Sequence, residues 1–233
     1  GGGSSSNDNA GSAVAPGLSN MMCGLAASRL EPCERVEIYV GGLPVARHWP
    51  FDYKAGFAPW DVLEEYTRPA RLVEHGQIVI KEPLSEPELL EFPGVGTLEA
   101  FNTDGLRSLA YTLKAPFMKE KTLRWPGHAE LMRVLKNTGF FSLEPLDVGG
   151  QKVRPRDVTA ALLFPRWTFD EGEADLTVMR VRVEGRESAE GGSDIDVVRA
   201  LETARGEVIT DRHVQGRAEA RRERGRSEWR EEL

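Results

Sequence analysis

Alternating hydrophobic and polar positions predict the strands of this chain. Residues 176–183, with the sequence LTVMRVRV, form the clearest alternating run. Further upstream, Val36, Ile38 and Val40 fall on one face of residues 34–40. A period of two is typical of a half-buried strand, because successive side chains point to opposite faces. Both runs are therefore predicted to be strands. The strand at residues 34–40 is expected to end at the Gly-Gly-Leu-Pro sequence that follows it.

Several shorter apolar runs lie close together and predict antiparallel pairs. Residues 70–73 and 77–81 flank a short Glu-His-Gly turn and predict a hairpin. Residues 88–92, 97–101 and 121–125 predict three further short strands. Most neighbouring strands are joined too closely for the crossover that a parallel pair needs. The pattern predicts an α+β (α/β) fold, with a mixed, largely antiparallel sheet and helices on one face.

Helical segments are intermixed with these strands. The pattern of apolar residues predicts helices at residues 18–30, 61–66, 106–113, 129–138 and 158–164. Gly139 is expected to close the fourth helix, because glycine readily adopts the left-handed conformation found there. Asn102, Thr103 or Asp104 is expected to cap the third by accepting backbone N–H groups of its first turn.

Two dense groups of polar residues stand out in otherwise apolar surroundings. Residues 101–107 (FNTDGLR) and 121–128 (KTLRWPGH) each follow a predicted strand and open a predicted helix. Strand-to-helix corners of this kind commonly carry the site of a protein with a mixed sheet. Two well-capped helices with solvated charges would give the same pattern. The pattern alone leaves both interpretations open.

Composition narrows the class of protein. With 233 residues, of which 40% are hydrophobic and 29% charged, the chain can bury the core of one large domain or two small ones. The net charge of −7 argues against a nucleic-acid partner, which needs clustered positive charge. No apolar run approaches the roughly 18 residues of a membrane helix, and no secretory signal is present, so we expect a cytoplasmic protein. Cys23, Cys33 and the scattered histidines lack ligand spacing, so no metal site is expected.

The two ends of the chain differ in composition from its middle. Residues 1–13 are rich in Gly, Ser and Asn and are predicted to be a flexible linker. Residues 188–233 are charged, and the Arg/Glu-rich end has no apolar stripe. We predict that they form a solvated helix or a disordered tail outside the core.

Five short motifs occur in order along the middle of the chain. They are Val14–Asn20, Tyr39–Pro44, Tyr53–Lys54 followed by Asp61–Tyr66, Phe101–Leu106 and Thr122–His128. Through them, residues 14–187 resemble the catalytic (substrate) domain of the saccharopine dehydrogenase family, particularly its lysine 6-dehydrogenase-like members. The resemblance implies a mixed sheet that covers a nicotinamide, carries substrate-binding groups and often forms a dimer contact.

The resemblance also implies a cofactor and a missing half. Members of this family begin with a Rossmann domain that binds NAD or NADP, and its glycine loop is not found in this sequence. We therefore expect NAD or NADP to be held by a domain absent from this chain. By resemblance, Pro16, Gly17, Ser19 and Asn20 are expected to lie near the nicotinamide end of the cofactor.

The chemistry implied by the resemblance needs few protein groups, because the cofactor carries the hydride. One group must hold the substrate carboxylate, one must orient the amine and one must accept a proton. Arg124 is the candidate carboxylate clamp, since guanidinium binds carboxylate in bidentate fashion, although a salt bridge at the sheet edge is the alternative. Asn102 and Asp104 could orient the amine, or only cap the next helix.

Candidates for proton transfer are Lys54, Tyr53, Asp104 and His128. Lys54 or Tyr53 could transfer the proton if the aromatic segment at residues 47–59 forms a wall of the pocket. The alternative for Tyr53 is a structural role in the hydrophobic core. His128 could titrate near neutral pH. A histidine in a Pro-Gly turn can equally be structural.

We therefore predict the substrate domain of an NAD(P)-dependent oxidoreductase acting on the amine of lysine, saccharopine or a related amino acid. The isolated chain is expected to be inactive and to form a homodimer. The alternative is a non-catalytic dimerisation or interaction module derived from the same domain.

Overall fold

A mixed sheet with helices forms the structure. The computed structural model describes residues 17–187, 192–204 and 207–218. The helices in this part of the chain are α1 (Ser19–Ala27), α2 (Pro59–Glu65), α3 (Leu109–Thr112), α4 (His128–Thr138) and α5 (Pro155–Trp167). The strands are β1 (Leu30–Pro44), β2 (Ala70–Glu74), β3 (Gln77–Lys81), β4 (Glu88–Phe92), β5 (Gly96–Asn102), β6 (Phe117–Arg124), β7 (Leu146–Val148), β8 (Gln151–Val153), β9 (Ala174–Glu187), β10 (Gly192–Ala204) and β11 (Glu207–Ala218).

Nine of these strands form one sheet. Its order is β11-β10-β9-β1-β6-β2-β3, and the β4–β5 hairpin joins it where β5 pairs with β6. Strands β1 and β6 are parallel, whereas the other described pairs are antiparallel. Strands β7 and β8 form a separate hairpin. The predicted mixed, largely antiparallel sheet and the hairpin formed by β2 and β3 are confirmed.

The helices pack on one face of the sheet. Cys23 of α1 packs in a core cluster with Val36 and Ile38 of β1. Met132 of α4 packs in a second cluster with Phe101 of β5. The registers of β1, β5 and β6 place these strand residues on the same side. The predicted placement of the helices on one face is therefore confirmed.

Strand β1 is longer than the sequence pattern predicts. Gly41 and Gly42 do not end it, because both continue the pairing with β9 and the strand runs to Pro44. A Cβ atom at Gly41 would lie 2.3 Å from the carbonyl oxygen of Leu123. Glycine therefore allows close approach of two strands here, and the prediction that the strand ends once it reaches the two glycines was wrong.

Helix α3 is shorter than expected and is capped differently. It spans Leu109–Thr112, and its N-cap residue Ser108 forms no side-chain cap hydrogen bond. Asp104 instead accepts two hydrogen bonds from the side chain of Arg71, each of 2.8 Å. The prediction that Asn102, Thr103 or Asp104 caps this helix was therefore wrong.

The β4–β5 hairpin packs over the opposite face of the sheet. Phe92 and Leu98 form a buried cluster there with Tyr39 of β1. At the edge of this cluster, the ammonium of Lys121 lies 2.8 Å from the carboxylate of Glu88. This face is therefore covered by a hairpin and ion pairs rather than by described helices.

The C-terminal part of the chain extends the sheet. Strand β10 pairs with β9 from Gly192 to Ala204, and β11 pairs with β10. The prediction of a solvated helix or disordered tail was therefore wrong for these strands. The physical reason is the free edge of β9, which offers backbone partners to a segment that contains the alternating sequence Asp-Ile-Asp-Val. The predicted linker at 1–13 and the end of the predicted tail beyond 218 lie outside the described residues.

Candidate functional site

A cavity of about 390 Å³ lies on the helix-covered face, between β1, β6, α2 and the loop after β5. Thr103, Glu120 and Arg124 line its inner part and are almost fully buried. Asp61 and Arg107 line it from solvent-exposed positions. A ligand entering this cavity would therefore pass exposed charges before reaching buried polar groups.

A carboxyl group held by threonines forms the inner end of the cavity. The hydroxyl of Thr103 donates a hydrogen bond of 2.7 Å to Oε2 of Glu120, and it lies 2.8 Å from the hydroxyl of Thr122. A Cβ atom at Gly105 would lie 2.3 Å from the carboxyl carbon of Glu120. Gly105 thus provides the room in which this carboxyl group fits.

Burial changes the proton affinity of Glu120. Burial raises its pKa to about 7, and the negative charges of Glu65 and Asp104 act in the same direction. The Thr103 hydroxyl and the nearby backbone N–H of Gly105 partly oppose this rise in pKa. At neutral pH the carboxyl group therefore exchanges between its two protonation states, as a group that takes up or releases protons must do.

Arg124 also lines the cavity, but its guanidinium already has partners within the protein. It lies 3.2 Å from the carboxylate of Glu65, and it donates a hydrogen bond of 2.9 Å to the carbonyl oxygen of Leu123. The guanidinium carbon lies 4.5 Å from the centre of the Tyr53 ring. Burial raises the pKa of Glu65, and the positive charge of Arg124 opposes that rise. The alternative role of Arg124, a structural salt bridge, is thus present in the structure, and its role as a clamp stays a prediction.

His128 is buried behind Arg124 and does not line the cavity. Its Nδ1 lies 2.9 Å from the carbonyl oxygen of Phe51, and its Nε2 lies 2.8 Å from the hydroxyl of Tyr66. Nδ1 therefore carries the proton, and Nε2 accepts the hydrogen bond from Tyr66. Burial, reinforced by the charge of Arg124, lowers the pKa of His128 to about 3. The imidazole is consequently neutral at physiological pH.

Tyr53 and Lys54 lie outside the cavity lining. The Tyr53 ring packs 5.0 Å from the His128 ring, and burial raises the pKa of its phenol far above the ordinary value. The ammonium of Lys54 lies 3.0 Å from Asp170 and 2.5 Å from Glu173. Burial opposes its charge, but these hydrogen bonds outweigh burial and raise the pKa of Lys54. Both groups are therefore protonated at neutral pH.

Asn102 is fully buried and supports a turn rather than the cavity. Its amide nitrogen donates hydrogen bonds of 3.0 Å to Ser85 and to Glu86. Glu86 has a φ of 50°, and Leu84 has a φ of 63°, so the turn contains two residues in the left-handed region. Hydrogen bonds from Asn102 therefore stabilise a strained turn.

Of the residues predicted to touch a cofactor, the three that the structure describes, Gly17, Ser19 and Asn20, do not line the cavity. Gly17 is exposed, and Ser19 is buried in α1, where its hydroxyl lies 3.5 Å from Oδ1 of Asn20. Pro16 lies outside the described residues. Of all the predicted site residues, the structure brings Asp104 and Arg124 together at the cavity.

Most residues of the cavity were not predicted as site residues, among them Glu65, Arg107 and Glu120. In the structure Glu120 lies on the same face of β6 as Thr122 and Arg124, inside a strand that is largely buried. Charged residues inside a buried strand are costly unless a partner or a function requires them. Nothing in the sequence indicates that Arg107 adopts the left-handed backbone conformation, with a φ of 49°, that it has in the structure.

Two negative findings apply to the described residues. Within them, no three His, Cys, Asp or Glu side chains cluster in a way that could hold a metal ion. No helix among those described is long and apolar enough to cross a membrane.

The sheet, the helices on one face and the polar cavity between them define an α+β domain of the kind that carries a small-molecule site. Residues 13–221 match the sequence family described as the saccharopine dehydrogenase C-terminal domain. Because the match covers most of the chain, the chain belongs to this family, as the resemblance predicted. The match also extends past residue 187, where the sequence analysis had placed the end of the domain.

A solved structure shares the fold. It is the apo histidine-tagged saccharopine dehydrogenase (L-Glu forming) from Saccharomyces cerevisiae, with a TM-score of 0.61 and 14% sequence identity. The similarity covers 88% of this chain and 60% of that one. The chain therefore corresponds to only part of the yeast structure, and the likeness at this identity concerns the fold.

Proposed function

We propose that this chain is the substrate-binding domain of an NAD(P)-dependent dehydrogenase that acts on the amine of lysine, saccharopine or a related amino acid. The cavity is the observation that carries the proposal. It combines the guanidinium groups of Arg68 and Arg107 with buried carboxyl groups, including that of Glu120. An amino acid carries a carboxylate and an ammonium, so a cavity with both signs of charge complements it.

Arg107 is the residue best placed to meet the carboxylate. It is exposed, it lines the cavity, and no salt bridge to it is present among the side chains that the structure describes. Its φ of 49° is unusual for a residue with a side chain, and such strain tends to accumulate at functional sites. A guanidinium that forms no salt bridge with a protein carboxylate can form a bidentate pair with a ligand.

The described residues do not fit the phosphates of a dinucleotide. The described parallel pair, β1 with β6, carries Gly41 and Gly42 inside a strand rather than in a loop that opens a helix. Dinucleotide phosphates need such a loop and the helix N-terminus that follows it. The cofactor in this proposal is therefore held by another domain, and the role of this chain is to bind and orient the amino acid.

Calorimetric titration of the chain with L-lysine and with L-saccharopine tests the proposal. We expect binding with a Kd below about 1 mM for at least one of them. Arg107→Asn should weaken it by about tenfold or more, because a charge-assisted hydrogen bond contributes about 1.5–3 kcal/mol. Asparagine is chosen because it tolerates the left-handed backbone.

Arg133→Ala is the matched control, because Arg133 lies on the solvent-facing side of α4 and pairs with Glu130. It should leave the affinity unchanged. If the wild-type chain binds neither amino acid at millimolar concentration, the proposal is wrong.

A second candidate function, a non-catalytic interaction module, is favoured by one observation. Glu65 already occupies the guanidinium of Arg124 that was expected to receive a substrate carboxylate. The absence of amino-acid binding in the titration, with the chain folded, would support this second candidate.

We also propose that two copies of the chain associate. Strand β3 is at one edge of the sheet among the described strands, and it exposes Ile78 and Ile80. A strand edge with exposed apolar residues favours pairing with another copy. Light scattering should report a dimer that Ile80→Lys weakens, and a monomeric wild-type chain at tens of micromolar would contradict this proposal.

A further inference from the structure

Glu120 differs from the other acidic residues around the cavity. It projects from the middle of β6, is 3% exposed and lies at the inner end of the cavity. Two groups fix its position, the donating hydroxyl of Thr103 and the backbone at Gly105, where no Cβ atom would fit. The cavity therefore ends at one carboxyl group in a fixed position.

Other charges face Glu120 from each neighbouring element. The charges of Glu65 on α2 and of Asp104 in the loop after β5 act on it directly. The other charged residues that line the same cavity are Asp61, Glu64, Arg68, Arg107 and Arg124. Arg124 is paired with Glu65, whereas the side-chain hydrogen bond to Glu120 comes from the hydroxyl of Thr103. A neutral donor does not compensate a buried negative charge as a cation would.

We propose that Glu120 is the specificity-determining residue that receives the ammonium group of the substrate, and that it releases its proton when this cation binds. The proposal rests on the proposed function and deepens it, because it orients the amino acid with its ammonium inward and its carboxylate towards Arg107. The O–H bond of Glu120 breaks, the proton passes to solvent, and the carboxylate forms an ion pair with the incoming ammonium.

The pKa of about 7 for Glu120 makes this release measurable at neutral pH. Half of the molecules then carry the proton, so binding should release up to about half a proton per ligand. If only the carboxylate form binds the cation, the affinity should rise about tenfold between pH 6 and pH 8. The side-chain ammonium of L-lysine, with a pKa near 10.4, stays charged throughout this range.

Calorimetry of L-lysine binding at pH 7, in two buffers that differ in ionisation enthalpy, counts the released protons. We expect release from the wild-type chain and none from Glu120→Gln, together with at least a tenfold loss of affinity in the variant. Glu130→Gln, a change at an exposed position of α4, is the control and should keep both the affinity and the proton release.

Thr103→Val provides a second test that does not remove the carboxyl group. The Thr103 hydroxyl lowers the pKa of Glu120, so its loss should move the midpoint of the affinity–pH curve upward by about half to one pH unit. If wild type and Glu120→Gln release equal numbers of protons on binding, or if Thr103→Val leaves the curve unmoved, this inference is wrong and the proposed function stands. A wild-type chain that binds L-saccharopine but not L-lysine overturns this inference alone, and one that binds neither amino acid overturns both.

Discussion

The guanidinium of Arg124 and the carboxylate of Glu65 form a salt bridge of 3.2 Å on the wall of the cavity. Arg124 is 3% exposed, and its removal would leave Glu65 without its salt-bridge partner. Breaking a buried pair costs about 3–5 kcal/mol. The Glu65 side chain is 34% exposed, so we expect Arg124→Ala to lower the free energy of unfolding by about 2–3 kcal/mol.

Urea denaturation measures this difference. Arg133→Ala, which removes a solvent-exposed ion pair, should change the free energy of unfolding by less than about 1 kcal/mol. If Arg124→Ala is as stable as the wild type, the salt bridge with Glu65 does not stabilise the fold, and the clamp becomes the better account of Arg124.

Gly105→Ala should be destabilising in spite of its small size. The added Cβ atom would lie 2.3 Å from the carboxyl carbon of Glu120, so either the carboxyl group or the backbone must move. Overpacking of this kind costs about 1–3 kcal/mol. Gly24→Ala in α1 is the matched control, because nothing lies within 4 Å of the new Cβ atom and alanine favours helices. Thermal denaturation should show opposite shifts in Tm for the two variants.

Glu120 should make the stability of the protein depend on pH. Its pKa is raised to about 7 in the native state, against 4.5 as the ordinary value. Between these values the native state binds more protons than the unfolded state, so stability falls as pH rises through this range. Relative to Glu120→Gln, the wild type should lose up to about 3 kcal/mol between pH 4.5 and 7.5. Parallel stability–pH curves for the two proteins would show that Glu120 titrates normally.

His128 should remain neutral in acid while the protein is folded. Its pKa is lowered to about 3, against 6.5 as the ordinary value. Between these two values the unfolded state binds more protons than the native state. The neutral His128 therefore makes the native protein less stable, relative to the unfolded state, as pH falls below about 6.5. Nitrogen NMR should show the Nδ1–H tautomer of a neutral imidazole at pH 5, and a charged imidazolium there would contradict the structure.

Tyr66→Phe removes the hydroxyl that donates a hydrogen bond to Nε2 of His128. The substitution should lower the free energy of unfolding by about 1–3 kcal/mol.

Much of the fold could be predicted from local patterns. Alternation predicts β9, and Gly139 closes α4 with a φ of 95°, as its conformational freedom predicts. The pattern failed where a distant partner decided the outcome. The sequence around Gly41 does not show that Leu123 of a distant strand lies against this glycine. Residues 192–204 have a polar sequence, and their strand conformation depends on pairing with the edge of β9.

The cavity was harder to predict than the sheet. Arg124 and Asp104 could be chosen because they sit in dense polar motifs near the ends of strands. Glu120 lies inside a strand, where the sequence alone does not reveal which face meets a cavity. Glu65 comes from a helix that is remote in sequence, and its importance arises only from the pairing with Arg124.

The parallel pairing of β1 with β6 also determines when the cavity can form. The chain between Pro44 and Phe117 includes α2 and the loop after β5, which supply one wall, whereas β6 supplies the inner end. Closing so long a connection costs chain entropy before its contacts form, so such contacts form slowly. A chain that has paired β2 with β3 and β4 with β5 but has not docked β6 beside β1 would contain most of its local structure and no cavity. Ligand binding would therefore report the completion of folding, and not merely the presence of secondary structure.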